Sequence, residues 1–339
     1  MWSTYADKAQ QSLVRCFWNS GISCFNHGYP LCDKTNSRLI YWWFAHAIDC
    51  LLDGYERTSD GKYLELADKT LDGVMVWNGN RIIHNWYDDM EWFGLALLRF
   101  YDITGKDKYI KLVDCLWEDI KTAWNPHCGG GLAWRKDQPD YKNTPANAPA
   151  AILAARLYQR FKKAEDLDWA KKIYRWNREN LMDRETGFIW DGMNREGDGK
   201  IDKDWEFTYC QGVMIGAALE LHRILGEAQY ASDAGRIYGA TCSRLLDANG
   251  LFKDEGRDDA GLFKGILVRY LALMSRDCPD TGAGIRTLLI RNAQSMLEAA
   301  SGDFLFGTGW TEKPSEDIQL SSHLSGVMLL EAAAGFGKM

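Results

Sequence analysis

The feature that most constrains this chain is a junction that recurs along it. Residues 55–63 (YERTSDGKY) parallel residues 101–109 (YDITGKDKY), and residues 222–230 (HRILGEAQY) follow more loosely. In each, a segment of apolar residues at helical period ends, a short polar turn containing glycine follows, and a tyrosine opens the next segment. Tyr158 through Trp169 is a longer version. The copies begin at 55, 101, 158 and 222, so their spacings of 46, 57 and 64 residues fit a two-helix repeat with a loop of variable length.

Extending the repeat gives six helical hairpins. First helices are expected near 3–19, 60–77, 106–124, 165–183, 227–246 and 281–301. Second helices are expected near 36–56, 87–104, 145–161, 206–225, 259–276 and 321–336. The second set is the more apolar and the richer in Gly and Ala, so it should be the buried set. The last helix is as apolar as the rest, without the polar cap of an open solenoid. The expectation is an all-α chain, an (α/α)6 barrel formed by residues 1–339 as a single domain. The long loops then lead from each outer helix into its inner helix, and a site should lie among residues 20–42, 78–92, 125–149, 184–211, 247–264 and 302–325.

Composition excludes several functions. Forty basic against 47 acidic residues leave a net charge of −7, with no basic stripe for a nucleic-acid partner. No apolar run is long enough to span a membrane. The nine cysteines are scattered singly, which fits neither a disulfide framework nor a zinc site and points to a reducing compartment. The N-terminal stretch lacks the basic start and apolar core of a secretory signal, so a cytoplasmic location is expected. Residues 194–205 resemble a calcium loop but place Trp205 where the bidentate glutamate should stand. Neither a metal nor another cofactor is expected. An aromatic content of 13% suits a cleft that stacks on sugar rings, as well as a large core.

Asp88 and Asp89 open an inner helix. As a structural feature, an Asp at the N-cap with Glu91 at the third helical position is a capping box. As a chemical one, the two carboxylates can face one cavity roughly 5–5.5 Å apart if one of them lies outside the helix, the separation a retaining glycosidase uses. Asp258 and Asp259 have the same placement ahead of the fifth inner helix, and spacing alone does not separate the pairs. His46 and Asp49 share a helix face at i, i+3 and suit a core contact.

With YWWFAHAID at 41–49, YDDMEWFGLALL at 87–98, GGGLAW at 129–134, NAPAAILAARLY at 147–158, TYCQGV at 208–213 and LFKGILVRYL at 262–271, the chain resembles glycoside hydrolase family 76, the endo-α-1,6-mannanases. The resemblance implies the (α/α)6 barrel and a retaining mechanism with Asp88 as nucleophile and Asp89 as acid/base. Cys210 stands where the family pattern usually has Asn. Trp42, Trp134, Asn147, Tyr209, Gln211 and Lys264 are then assigned to the sugar-binding walls, with α-mannan or a mannooligosaccharide as substrate. The rival functions are a transglycosidase using the same aspartates, a sugar epimerase, which needs facing histidines, and a glycan-binding protein without turnover.

Overall fold

A computed structural model describes residues 1–32 and 35–337. Residues 33 and 34, inside the expected 20–42 loop, lie outside the described residues. The chain falls into two compact units. One comprises residues 1–81, 246–275 and 282–339, and the other residues 82–245 and 276–281.

The first unit holds helices α1 (Trp2–Phe17), α2 (Tyr41–Thr58), α3 (Lys62–Trp77), α10 (Ala260–Asp277, to Ser275), α11 (Pro279–Ala299, from Gly282) and α12 (Leu320–Phe336). The second holds α4 (Tyr87–Thr104), α5 (Asp107–Lys121), α6 (Ala148–Phe161), α7 (Ala164–Leu181), α8 (Thr208–Leu225) and α9 (Ala228–Arg244). Even-numbered helices are the buried, inner ones: α12 is buried from Leu320 through Glu331 and α8 at all but one of its first fourteen residues. Each fully buried Leu, Ile or Phe contributes about 1.5–3 kcal/mol, so these faces dominate the stability of both units. α2 begins at Tyr41, five residues later than its periodicity suggests. Asn36 is occupied instead in tying down the preceding loop, accepting from the His27 N–H and donating to Asn26.

The recurring junctions have a physical basis. The inner helices α2, α4, α6 and α8 each end on a residue in the left-handed region, Ser59 (φ 60°), Gly105 (64°), Lys162 (56°) and Gly226 (70°), whose N–H returns to a carbonyl four residues back. The chain therefore reverses within a few residues, and α2 packs on α3, α4 on α5, α6 on α7 and α8 on α9. The inner helix α12 packs on α1. Small residues set how closely inner helices approach. A Cβ on Gly94 of α4 would stand 2.8 Å from Leu153 of α6. Gly265 of α10 abuts Ser325 of α12, whose hydroxyl accepts from the Gly265 N–H and donates to the Gly261 carbonyl.

Among the described residues, sheet is confined to the outer-to-inner loops. In the first unit, β1 (Trp18–Asn19) pairs with β2 (Cys24–Phe25), and β3 (Gly28–Tyr29) with β7 (Ile318–Gln319). In the second, β4 (Ala133–Arg135), β5 (Gln138–Asn143) and β6 (Gly192–Met193) form an antiparallel sheet. No helix among the described residues is long and apolar enough to cross a membrane.

Candidate active site

In the second unit, three consecutive loops share one register. A buried apolar residue, Ile82, Leu132 or Ile189, is followed two positions later by a side chain of a different kind: His84, Trp134 or Asp191. Leu132 and Ile189 are pinned by isolated antiparallel bridges, to Trp124 and Met182, so each loop returns to the same place whatever its length. The first unit repeats the spacing at Phe25 and His27, Phe252 and Asp254, and Leu305 and Gly307, all three anchors being buried.

The aspartate pair lies beside two of these positions. The N-cap of α4 is Trp86, held extended (φ −90°, ψ 127°) by an antiparallel bridge to Arg135, with the Lys136 N–H donating to the Asn85 carbonyl. Asp88 and Asp89 are therefore both inside the first helical turn, and neither caps it. This corrects the capping-box reading and the expectation that one of the two is non-helical. Their side chains leave the helix about 100° apart. One Asp88 carboxylate oxygen accepts from the Asp89 N–H (2.9 Å), the other from the Trp134 indole N–H (2.9 Å). The Asp89 carboxylate lies 3.3 Å from Nδ1 of His84. The unpaired N–H groups of a helix N-terminus favour negative charge there.

Burial governs the neighbours. His84, stacked on Trp86, is pushed down to about 4 by burial and, secondarily, by Lys136, so its imidazole is neutral at neutral pH. Glu91 is fully buried on the same helix. Burial first, and the charge of Asp88 next, hold its carboxyl well above the usual range.

Asp191, 3% exposed, collects three donors: the hydroxyls of Tyr141 (3.1 Å) and Tyr209 (2.8 Å) and the Cys210 thiol (3.4 Å). Burial raises its carboxyl, and the three donors hold it back. Tyr141 meets the Trp134 ring edge-on at 5.7 Å. The assigned wall residues Trp134 and Tyr209 are thus linked through Tyr141 and Asp191.

The other two assigned residues of this unit are fully buried and bonded to backbone. Asn147 accepts from the Leu132 N–H and donates to the Leu132 and Asn143 carbonyls. Gln211 accepts from the Ile189 N–H and donates to the Ile189 and Phe207 carbonyls. Each amide clamps the buried anchor two residues before Trp134 or Asp191.

In the first unit, Trp42 (8% exposed) and Trp43 donate their indole N–H groups to the same oxygen of Asp259, at 2.9 and 3.0 Å. Asp258 is bonded to Gln319 through its backbone N–H and its carboxylate. The second aspartate pair is therefore spent on side chains of its own unit. Lys264, also buried, donates to the Thr308 carbonyl, lies 4.6 Å above the Trp310 ring and is pushed down to about 8 by burial. His46, pressed edge-on against Trp42, is pushed down to about 3 by burial.

Among the described residues no group of three or more His, Cys, Asp or Glu side chains is placed to hold a metal ion. In the 194–205 segment, Asp202 pairs with Arg195 and Asp198 with Lys200.

Sequence reasoning missed the roles of His84, Glu91, Tyr141 and Asp191. The common loop register is the signal that could have found His84 and Asp191. Glu91 and Tyr141 carry none, because only the folded chain puts a buried carboxyl behind the pair or a tyrosine between Trp134 and Asp191.

The family model for glycosyl hydrolase family 76 matches residues 2–334. The α-1,6-mannanase GH76A from Salegentibacter sp. HEL1_6 is 39% identical, with 98% of this chain and 99% of that one covered at a TM-score of 0.93. A variant of that enzyme, inactive after replacement of two consecutive aspartates, has been solved with α-1,6-mannotriose. The Lin0763 protein from Listeria innocua is 42% identical, covering 99% of this chain and 98% of that one, with a TM-score of 0.94. Among curated proteins, the mannan endo-1,6-alpha-mannosidase DCW1 of Candida glabrata is 24% identical over 77% of this chain, which spans 64% of that relative's length.

Proposed function

Since the chain belongs to glycosyl hydrolase family 76 and has its all-α (α/α)6-barrel fold, we propose that it hydrolyses α-1,6-linked mannose chains with retention of configuration, residues 1–339 acting as one catalytic domain. The observation that carries this reading is the aspartate pair at the start of α4, with the Trp134 indole bonded to Asp88. A family member inactivated at two consecutive aspartates supports it.

In this mechanism the Asp88 carboxylate attacks the anomeric carbon while Asp89 gives its proton to the departing O6 of the next mannose. A glycosyl ester forms on Asp88 and the glycosidic bond breaks. Asp89, now ionised, takes a proton from water, whose oxygen attacks the same carbon and releases Asp88. The hydrogen bonds from the Asp89 N–H and the Trp134 indole orient the Asp88 carboxylate and favour its ionised form. His84, 3.3 Å from the Asp89 carboxylate, is neutral at neutral pH and so adds no positive charge beside it.

Trp134 and Tyr209 supply aromatic wall to the sugar, and Trp42 does so from its own unit. Asn147 serves the wall by fixing the loop that carries Trp134, Gln211 fixes the loop whose Asp191 holds Tyr209, and Lys264 fixes the segment at Thr308. Nine free thiols support a reducing compartment. The test is incubation with α-1,6-mannan and α-1,6-mannotetraose, following released sugars and their anomeric configuration. Absence of hydrolysis, or release of inverted sugar, would defeat the corresponding half of the reading.

A further inference from the structure

Asp191 lies in the same loop register as His84 and Trp134, yet none of its three bonds goes to the aspartate pair. Its carboxylate is closed off: the Tyr209 hydroxyl and Cys210 thiol occupy one oxygen and the Tyr141 hydroxyl the other. The connection that continues is through Tyr141. Its phenol is fixed at one end by Asp191, while its ring stands at 86° to the Trp134 indole with centroids 5.7 Å apart. That edge-to-face contact sets the plane of the indole, and the plane sets where its N–H points, namely at the outer oxygen of Asp88, 2.9 Å away. On the backbone side the same indole is located by Asn147, through its clamp on Leu132. Trp134 thus has one support for its position and a second for its tilt.

We propose that Asp191 is a positioning residue for the reaction, holding Tyr141 so that Trp134 keeps its hydrogen bond to the Asp88 carboxylate. This rests on the mannanase reading for its kinetic consequences and on the geometry alone for its structural ones. Tyr141→Phe removes one hydroxyl and leaves the ring. Asp191→Asn keeps the shape but leaves a single acceptor oxygen where two hydroxyls were received.

Two measurements decide the matter. In the first, kcat and KM for α-1,6-mannotetraose are followed against pH for the wild type, Tyr141→Phe, Asp191→Asn, Trp134→Phe and the double variant Tyr141→Phe/Trp134→Phe. Both Tyr141→Phe and Asp191→Asn should lower kcat by roughly ten- to hundredfold with KM nearly unchanged, as expected for a misplaced reacting group. Both should also move the acid limb of the profile to higher pH, as Trp134→Phe does. The double variant should be no slower than Trp134→Phe, because the tyrosine acts through the tryptophan. In the second, the protein is labelled with 5-fluorotryptophan and the Trp134 signal is identified by its loss in Trp134→Phe. That signal should shift in Tyr141→Phe and in Asp191→Asn. An unmoved Trp134 signal, an additive double variant, or a raised KM at unchanged kcat in Asp191→Asn overturns the proposal, the last by making Asp191 a sugar contact. The fluorine spectra need no substrate. A wild type inert towards α-1,6-mannan would thus defeat the mannanase reading while the Trp134 signal still decides this one.

Discussion

Lowering the pH from 7 to 5 should remove much of the folding stability of this protein, and four histidines are the reason. His27 sits among Trp43, Phe44 and Trp77 and is pushed down to about 4. His323, stacked between Phe17 and Phe306, is pushed down to about 3. His46 is likewise near 3 and His84 near 4, burial being the first cause in every case. In the unfolded chain each would titrate near 6.5. A depressed folded value means that the unfolded state binds more protons below pH 6.5, so stability falls as the pH drops through the window between 6.5 and the folded values. At pH 5 the loss is about 2 kcal/mol per histidine, or about 8 kcal/mol for the four. Because pH 5 lies above all four folded values, this figure does not depend on how far below it each one lies. Glu91 works the other way, since its raised carboxyl keeps a proton that the unfolded chain has released, and it offsets part of the loss. Against a typical total of about 5–15 kcal/mol the remainder is large. Urea unfolding at the two pH values measures it. The variant His323→Gln, whatever its stability at pH 7, should lose about 2 kcal/mol less than the wild type between pH 7 and 5. Equal wild-type stability at both values, or an undiminished difference in the variant, would refute the reasoning.

Asp88→Asn and Asp89→Asn should each abolish turnover of mannan while leaving the circular dichroism spectrum unchanged. On an activated aryl mannoside, Asp89→Asn should regain turnover with azide as a mannosyl azide of retained configuration, and Asp88→Asn should not. Trp134→Phe removes a charge-assisted hydrogen bond worth about 1.5–3 kcal/mol, so the acid limb of kcat/KM should rise by about one pH unit or more. A limb that stays in place would show that the bond does not serve the ionised nucleophile. Asp259→Asn should lower stability by about 1–3 kcal/mol through the two indoles it orients, measured by thermal unfolding, and should not remove activity. Hydrolysis should withstand prolonged chelator treatment; loss restored by calcium would revive the 194–205 loop as a metal site.

The helices were legible because each repeat states its own boundaries. A turn that needs a left-handed residue, followed by a tyrosine, marks where one helix stops and the next starts, and the observed ends lie within a few residues of those expected. The sheet β4–β5–β6 was not legible: β5 contains Pro139 and alternating charged residues, and β6 is two residues long. Their pairing is decided by which loops meet, not by local preference. The aspartate pair was visible as a pair, yet its exact helical position was not, because Trp86 becomes the N-cap through a bridge to Arg135, 49 residues away. Asn147 and Gln211 show where such reading stops. Amides near a polar cleft look like sugar ligands, while the demand they meet, unpaired N–H and C=O groups of a buried loop residue, leaves no trace in the sequence.

The common register of the six loops separates two things that evolution usually has to change together. The anchor residue is held by the scaffold, so the stretch from the outer helix to it can differ in length without moving the residue two places further on. The side chain there differs from loop to loop: histidine at 27 and 84, tryptophan at 134, aspartate at 191 and 254, glycine at 307. Each repeat therefore carries a fixed anchor and a variable residue two places on, so the loops differ in chemistry while sharing one backbone device. At Gly307 the register leaves no room for a side chain at all, since a Cβ there would stand 2.9 Å from Pro314.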